Sequence, residues 1–491
     1  MVESLRGVGY SIATALADIV DNSISAGARN VWVTFAYRGA ASTVSILDDG
    51  GGMSATELLG AMTLGGISPL LHRAEKDLGR FGLGLKTASF SQCRCLTVAS
   101  RRNGLVSVRR WDLDYIARPD VGDWRLLSSP RKGSEELLSP LDLLEQGTLV
   151  LWEGLDRIVG PGGMKDAALE NAFLALVERV EQHLAMVFHR LIEGMSPELR
   201  LYINGHRVKG WDPFLRSHPA TYSTPTDPFS SPHGRGELQG FVLPHKDKLS
   251  EIEYRAAGGI EGWTSQQGFY VYRNQRLLVA GGWLGLGSPR VWTMEEPFKL
   301  ARIRLDFTNS ADHEWDIDVK KSTARPPRYL RARIQELAEN VRVRARRVFA
   351  HRGEYGARAA VQDLSTVWVS RTLKGGTSYR LNRDHPLVAR ALNDADSKSV
   401  SELLRLVEET VPVQRIWLDT VEKGEMQKEP FSEDASPEVE ELAKSMLSHL
   451  VGKVGLSHEL AVMRLRTTEP FQNFPQLIAR LSASPSIQVT A

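Results

Sequence analysis

The stretch ALADIVDNSISAGA, residues 15–28, decides how this chain reads. Asp18 and Asn22 are four residues apart, so on a helix they share one face. Ile12, Leu16, Ile19 and Val20 recur at helical spacing on another face, and Gly27 ends the pattern. Residues 10–26 are therefore expected to form a helix with one apolar side and one side carrying an acid and an amide. A carboxylate so placed can orient and deprotonate a water, and an amide oxygen can ligate Mg²⁺. Taken alone, the pair is better explained as part of a solvated helix face.

The residues that follow supply the context. Two strand-like segments, 31–37 and 43–47, lead into Asp48-Asp49-Gly50-Gly51-Gly52-Met53. An acid at a strand end followed by glycines suits a carboxylate that accepts a hydrogen bond beside a flat ligand, because glycine lets the backbone come close. Residues 48–90 hold three glycine clusters, and a segment this rich in turns within a compact domain usually serves function. The last cluster, Gly79-Arg80-Phe81-Gly82-Leu83-Gly84-Leu85-Lys86, opens into a helix. Free backbone N–H groups, a helix N-terminus and a lysine together suit a triphosphate. The spacing lacks the Gly-Lys-Ser/Thr end of a Walker loop, and no preceding strand places it in a dinucleotide-binding unit. Strands are expected at 94–100, 105–111 and 148–152, the last starting with Gly147-Thr148, whose hydroxyl suits a purine edge.

Further along, a long helix is expected over 167–193, then strands at 199–203, 240–243, 268–272, 302–307 and 315–319. The Pro/Ser/Thr-rich stretch 219–232 reads as an exposed loop. In 315–319, Trp315, Ile317 and Val319 alternate with Asp316 and Asp318, and Lys320 and Lys321 close the strand. Tyr272, Arg273, Asn274 and Arg276 form a polar cluster read as structural. After Pro326-Pro327 comes a basic helix with Arg328, Arg331, Arg333, Arg342, Arg344, Arg346 and Arg347. Such a row can track a phosphate backbone, but packing through Leu330, Ile334, Leu337 and Val341 is the favoured reading. The remainder is mixed and mostly helical, with 379–388 expected as an extended segment entering a helix.

Composition narrows the class. In 491 residues the formal net charge is only +2, so any nucleic-acid surface would be a local patch. No apolar run is long enough to span a bilayer, and the first residues lack the apolar core of a signal peptide. The two cysteines, Cys93 and Cys95, exclude a disulfide scaffold and are expected to be buried reduced thiols. The expected location is the cytoplasm.

The four segments at 18–22, 48–53, 79–88 and 147–150, in that order, resemble the N-box and the three glycine-containing motifs of the GHKL superfamily, which includes gyrase B, MutL, histidine kinases and heat-shock chaperones. The phrases ALADIVDNSISAGA, LDDGGGMS, GRFGLGLKTASFSQC, YINGHRV, QGFYVYRNQRLLVAGGW and WDIDVKKSTARPP look most like the MORC ATPases and their bacterial relatives. The resemblance covers residues 1 to about 325. It implies an α+β fold: a Bergerat-type α/β sandwich over 1–165, a transducer-like α/β domain over 166–330, and a mostly helical region over 331–491.

The resemblance also implies roles. Asp18 takes the general-base position, Asn22 the Mg²⁺ ligand, and Asp48 the adenine-specifying carboxylate. Gly50, Gly52 and Met53 lie beside the base, and Gly79, Gly82, Leu83, Gly84 and Leu85 form the phosphate loop, with Lys86 near the phosphates. Thr148 contacts adenine, residues 55–80 form the ATP lid, and Lys320 or Lys321 reaches the γ-phosphate. Many members carry Glu where this chain has Asp18, one methylene shorter, so turnover is expected to be slow, below about 1 per second. The implied function is Mg²⁺-dependent ATP hydrolysis that gates homodimerisation and domain closure on DNA or a DNA-processing partner, in a defence or restriction-type setting. The alternative is a non-catalytic ATP-sensing scaffold or a chaperone-like protein.

Overall fold

The computed structural model describes residues 6, 9–63, 84–118, 120, 125–159, 167–193, 199–231, 234–308, 314–315, 324–350, 365–373, 376–393, 397–411 and 437–483. The chain divides into two compact units, Met1–Gly353 and Glu354–Ala491.

The first unit begins with helix α1 (Ile12–Ser25), started by Ser11, whose hydroxyl accepts a hydrogen bond from the Thr14 N–H at 3.2 Å. Strands β1 (Asn30–Ala36) and β2 (Thr43–Asp48) follow, then α2 (Ala55–Met62) behind a Ser54/Glu57 capping box. Next come α3 (Gly84–Gln92), β3 (Cys95–Arg102), β4 (Leu105–Asp112), β5 (Gly147–Glu153), α4 (Ala167–Val187), β6 (Arg200–Ile203) and β7 (His206–Arg207). The seven strands form one sheet in the order β4-β3-β5-β2-β1-β6-β7. The apolar side of α1, with Leu16, Ile19 and Val20, packs on Val31, Val33, Val44, Ile46, Val98 and Trp152 of the sheet and on Val180 and Leu184 of α4. Burying each such side chain contributes roughly 1.5–3 kcal/mol, which anchors the helix and so fixes where its polar side points.

The sheet extends past residue 165. β6 pairs in parallel with β1, Val31 opposite Leu201, and α4 covers the same core. The alternating strand pattern ending near 152 marks only the first five, antiparallel strands; β6 joins after a long helix, as a parallel pairing requires, and β7 pairs on its far side. The long helix itself stops at Val187, and a short turn of helix, His189–Ile192, follows.

The second sheet is mixed. Its strands are β8 (Tyr222–Ser223), β9 (Asp227–Ser231), β10 (Gly234–Val242), β11 (Gly268–Arg273), β12 (Arg276–Ala280) and β13 (Ala301–Phe307), ordered β12-β11-β13-β10-β8 with β9 also on β10. β11 runs parallel to β13 and antiparallel to β12. The stretch expected as an exposed loop at 219–232 thus holds two short strands. β9 contains Pro228 and pairs only with β10, an edge place where a missing N–H is tolerated. Helix α5 (Arg328–Ala350) buries Leu330, Ile334, Ala338, Val341 and Ala345 against this sheet, so the basic helix belongs to the second sheet's core.

In the second unit, β14 (Trp368–Leu373) and β15 (Gly376–Leu381) make a hairpin, and α6 (Pro386–Asn393) follows as the 379–388 reading anticipated. Helices α7 (Ser397–Glu409), α8 (Pro437–Gly452), α9 (His458–Arg466) and α10 (Pro475–Ala483) complete a mainly helical region. Its core joins Ala443, Met446 and Leu450 to Ala461, Leu465, Phe471 and Ile478. Cys93 and Cys95 are free and buried, as expected. No described helix is long and apolar enough to cross a membrane.

Candidate functional site

The polar side of α1 meets the end of β2 and the start of α3. Asp18 is buried at 6% exposure and accepts a hydrogen bond from the Tyr10 hydroxyl at 2.9 Å. One turn later Asn22 is exposed. Next to Asn22, Ser23 donates to Asp48 Oδ2 at 2.8 Å, which ties the helix to the strand end. The other Asp48 oxygen accepts the Gly50 N–H at 2.9 Å. Burial pushes the Asp48 pKa up, opposed by those hydrogen bonds from Ser23 and Gly50. Thr148 stands opposite Asp48 in the register of β2 and β5. The acid and the amide thus sit on the helix that Ser23 ties to the strand-end carboxylate. The first lies in the fold's interior and the second at its surface.

The glycines have a structural duty that the sequence did not specify. Gly52 has φ +62°, and a Cβ there would lie 2.0 Å from the Arg101 carbonyl oxygen of β3. Gly147 has φ +153°, and a Cβ would lie 2.1 Å from the Asp48 carbonyl oxygen. Any side chain at either position would displace the backbone that carries Asp48 and Thr148. Gly50 is also tight, with a Cβ 2.9 Å from the Ala26 Cβ. Ser100, which the sequence reading passed over, locks the turn: its hydroxyl accepts the Met53 N–H at 2.8 Å, donates to the Gly147 carbonyl at 3.1 Å and sits 2.9 Å from the Thr148 hydroxyl. The available signal was a serine in a strand whose neighbours Leu96, Val98 and Ala99 are apolar and buried.

Gly84 and Leu85 begin α3, and a Cβ on Gly84 would lie 3.8 Å from Asp18 Oδ2, so the start of this helix faces the acid. Lys86 is committed elsewhere. Its ammonium donates to the carbonyls of Ala61 at 3.0 Å and Thr63 at 2.7 Å, at the C-terminal end of α2. Those carbonyls lack helical partners and attract a cation, whereas the sequence reading put Lys86 beside phosphates. Burial pulls its pKa down. Gly79, Gly82 and Leu83 of the glycine loop, most of the 55–80 lid, and Lys320 and Lys321 lie outside the described residues.

A metal fits here only with help from a ligand. Among the described residues no three His, Cys, Asp or Glu side chains gather to hold an ion. Mg²⁺ keeps several waters and commonly takes one or two protein oxygens plus phosphate oxygens. The exposed Asn22 carboxamide, one turn from the Asp18 that the start of α3 faces, suits that arrangement.

The second sheet also reaches this helix. Arg276 of β12 places its Nε 3.2 Å from both carboxylate oxygens of Asp21. Neither residue was singled out as a site residue. The nearby Tyr272, by contrast, is structural: its hydroxyl lies 2.8 Å from His189 Nε2, and the Arg190 guanidinium stacks 3.5 Å from its ring centre.

Residues 10–148 match the family model of histidine kinase-, DNA gyrase B- and HSP90-like ATPases. The ATPase morc-1 of Caenorhabditis elegans is 31% identical over 94 residues, which are 19% of this chain and 11% of that protein. The chain therefore matches about a tenth of that relative's length. Among solved structures, the ATPase and transducer domains of DNA topoisomerase II from Balamuthia mandrillaris align with 68% of this chain and 84% of that one, at 10% identity and a TM-score of 0.36.

Proposed function

Starting from a GHKL-type ATPase domain over residues 10–148, we propose that this protein binds Mg²⁺-ATP and hydrolyses it slowly, and that the state of the γ-phosphate sets the arrangement of the two sheets. The observation that carries the reading is the buried Asp48 carboxylate, held by Ser23 and Gly50 opposite Thr148 on β5, and anchored to the helix that bears Asp18 and Asn22. Asp48 and Thr148 would recognise the adenine edge, with Gly50, Gly52 and Met53 shaping the turn around the base. Asn22 would hold Mg²⁺ against the phosphates. The glycine segment ending in Gly84 and Leu85 would offer backbone N–H groups to the triphosphate. Asp18 would take the proton of the attacking water, and Lys320 or Lys321 would contact the γ-phosphate.

Loss of the γ-phosphate removes a charge-assisted contact and lets a two-state element move. On this reading ATP draws two copies of the chain together, and the closed dimer acts on DNA or a DNA-processing partner, in a defence or restriction-type system. A second reading, a non-hydrolysing ATP sensor, draws support from Asp18, which is shorter than Glu and already bonded to Tyr10. Measuring phosphate release and nucleotide binding together separates the two. Hydrolysis that Asp18→Asn abolishes while nucleotide binding persists supports the enzyme. Tight binding with no release above the Asp18→Asn background supports the sensor. No binding of adenine nucleotides ends both.

A further inference from the structure

Arg276 crosses from the second sheet into the helix that carries the candidate base. Its Nη2 lies 3.1 Å from Asp21 Oδ2 and 4.0 Å from Asp18 Oδ1, with side-chain exposures of 5% for the arginine, 1% for Asp21 and 7% for Asp18. Its Nη1 donates to the Leu277 carbonyl at 2.7 Å, so the guanidinium is fixed at both edges. The Phe188 ring, 5.9 Å from the guanidinium carbon, closes another side. Asp18 is thus addressed from two directions: the Tyr10 hydroxyl bonds Oδ2, and the arginine approaches Oδ1. Gly84 faces that same Oδ2.

Two buried carboxylates one helical turn apart repel each other, and the planar Arg276 cation reaches both. Its grip on Asp21 is two-pronged, through Nε and Nη2, a geometry that lysine cannot reproduce. The arginine belongs to β12, which is hydrogen-bonded to β11 and through it to the whole second sheet. Any shift of that sheet against α1 moves the cation relative to Asp18.

We propose that Arg276 is a positioning residue for hydrolysis: clamped on Asp21 and reaching towards Asp18, it fixes the Asp18 carboxylate for its water and makes the chemical step, rather than nucleotide binding, depend on the seating of the second sheet. The proposal rests on the ATPase reading above, with Asp18 as the base. Misplacing a base by a fraction of an ångström lowers the rate steeply while leaving the distant adenine contacts intact. Arginine therefore acts on kcat, and Asp48 acts on affinity.

The experiment uses the full chain with three variants: Arg276→Lys, Arg276→Gln, and the charge-neutral pair Arg276→Gln with Asp21→Asn. The pair removes both charges together, so it leaves the net charge of the cluster unchanged, strands neither Arg276 nor Asp21 without the other, and keeps the fold accessible if a single change does not. Binding is read with a fluorescent ATP analogue, turnover by phosphate release, and folding by thermal melting. The expected result is a Kd within about 3-fold of wild type, a kcat lowered about 10–100-fold in the neutral pair, and an intermediate kcat for Arg276→Lys. A kcat within 2-fold of wild type in the neutral pair, whatever its melting temperature, overturns the positioning role and leaves the ATPase reading standing. A Kd that rises in step with the fall in kcat also overturns it. A wild-type protein that neither binds nor hydrolyses ATP removes the premise itself, and is recognised by the absence of any signal before a variant is made.

Discussion

Two charged regions of the first unit look alike in the sequence and differ in what the fold does with them. Helix α5 carries a dense row of arginines; α1 and the end of β2 carry a handful of acids and amides. In α5 many of the cations are committed to structure. Arg333 pairs with Asp227, Arg331 donates to the Gly285 carbonyl at 2.7 Å, and Arg344 lies 3.4 Å from the centre of the Tyr222 ring. Arg342 is buried among Trp283, Trp292 and Phe298, 3.7–4.5 Å from their ring centres. Around α1 the charged groups are also held, but they come together from separate elements. Buried acids are gathered within one helical turn and one strand end, the glycines that shape the turn exclude side chains, and an exposed amide remains beside them. Convergence from separate elements at one place, rather than charge density along one element, marks a site.

The largest expected break in the comparison is Asp18→Asn. It should lower phosphate release by about 10²–10⁴-fold, the scale of general-base catalysis, with ATP-analogue binding retained in a titration. Unchanged release would move the base elsewhere. Asp48→Asn should weaken ATP-analogue binding by about 100-fold, because an acceptor oriented to the base is replaced by a donor where Ser23 and Gly50 already donate. Because burial raises the Asp48 pKa, its ionised form disappears at a higher pH than an ordinary aspartate's, so affinity should fall on acidification before the usual carboxylate range is reached. A flat affinity profile down to that range would contradict an ionised acceptor.

On the structural side, Arg342→Ala should lower stability by about 3 kcal/mol, from the emptied space and the lost cation–π contacts, and leave nucleotide affinity unchanged. Calorimetry with the nucleotide titration checks both halves. Smaller still is the acid effect at the junction of α4 and the second sheet. Burial holds the His189 pKa down at about 3 against an ordinary 6.5, and the His183 pKa at about 4. The unfolded chain takes up these protons as pH falls through 6.5 while the folded chain does not. Their stability contribution is therefore full above that value and declines as pH falls below it. Denaturation midpoints at pH 7 and pH 5 measure it, and His189→Gln should flatten the slope. Arg333→Ala, at a largely exposed pair, should cost about 1 kcal/mol or less. A large loss of DNA binding in that variant alone would return α5 to the list of nucleic-acid surfaces.

The sequence by itself determined the helix with Asp18 and Asn22 on one side, the strand ending in Asp48, the glycine turns and Thr148, because each rests on local periodicity or on residue types that few conformations tolerate. It also anticipated the packing face of α5 through Leu330, Ile334 and Val341. Only the tertiary structure decided the rest. That β6 joins the first sheet depends on a parallel pairing of residues 170 positions apart, Val31 with Leu201, which no local pattern records. That Lys86 serves the end of α2 depends on where unpaired carbonyls stand, and that Ser100 locks the glycine turn depends on the register of β3 against β5. The clamp of Arg276 on Asp21 joins residues 255 positions apart; a periodic pattern carries no information at that range, because burial of both partners is fixed by how two sheets pack.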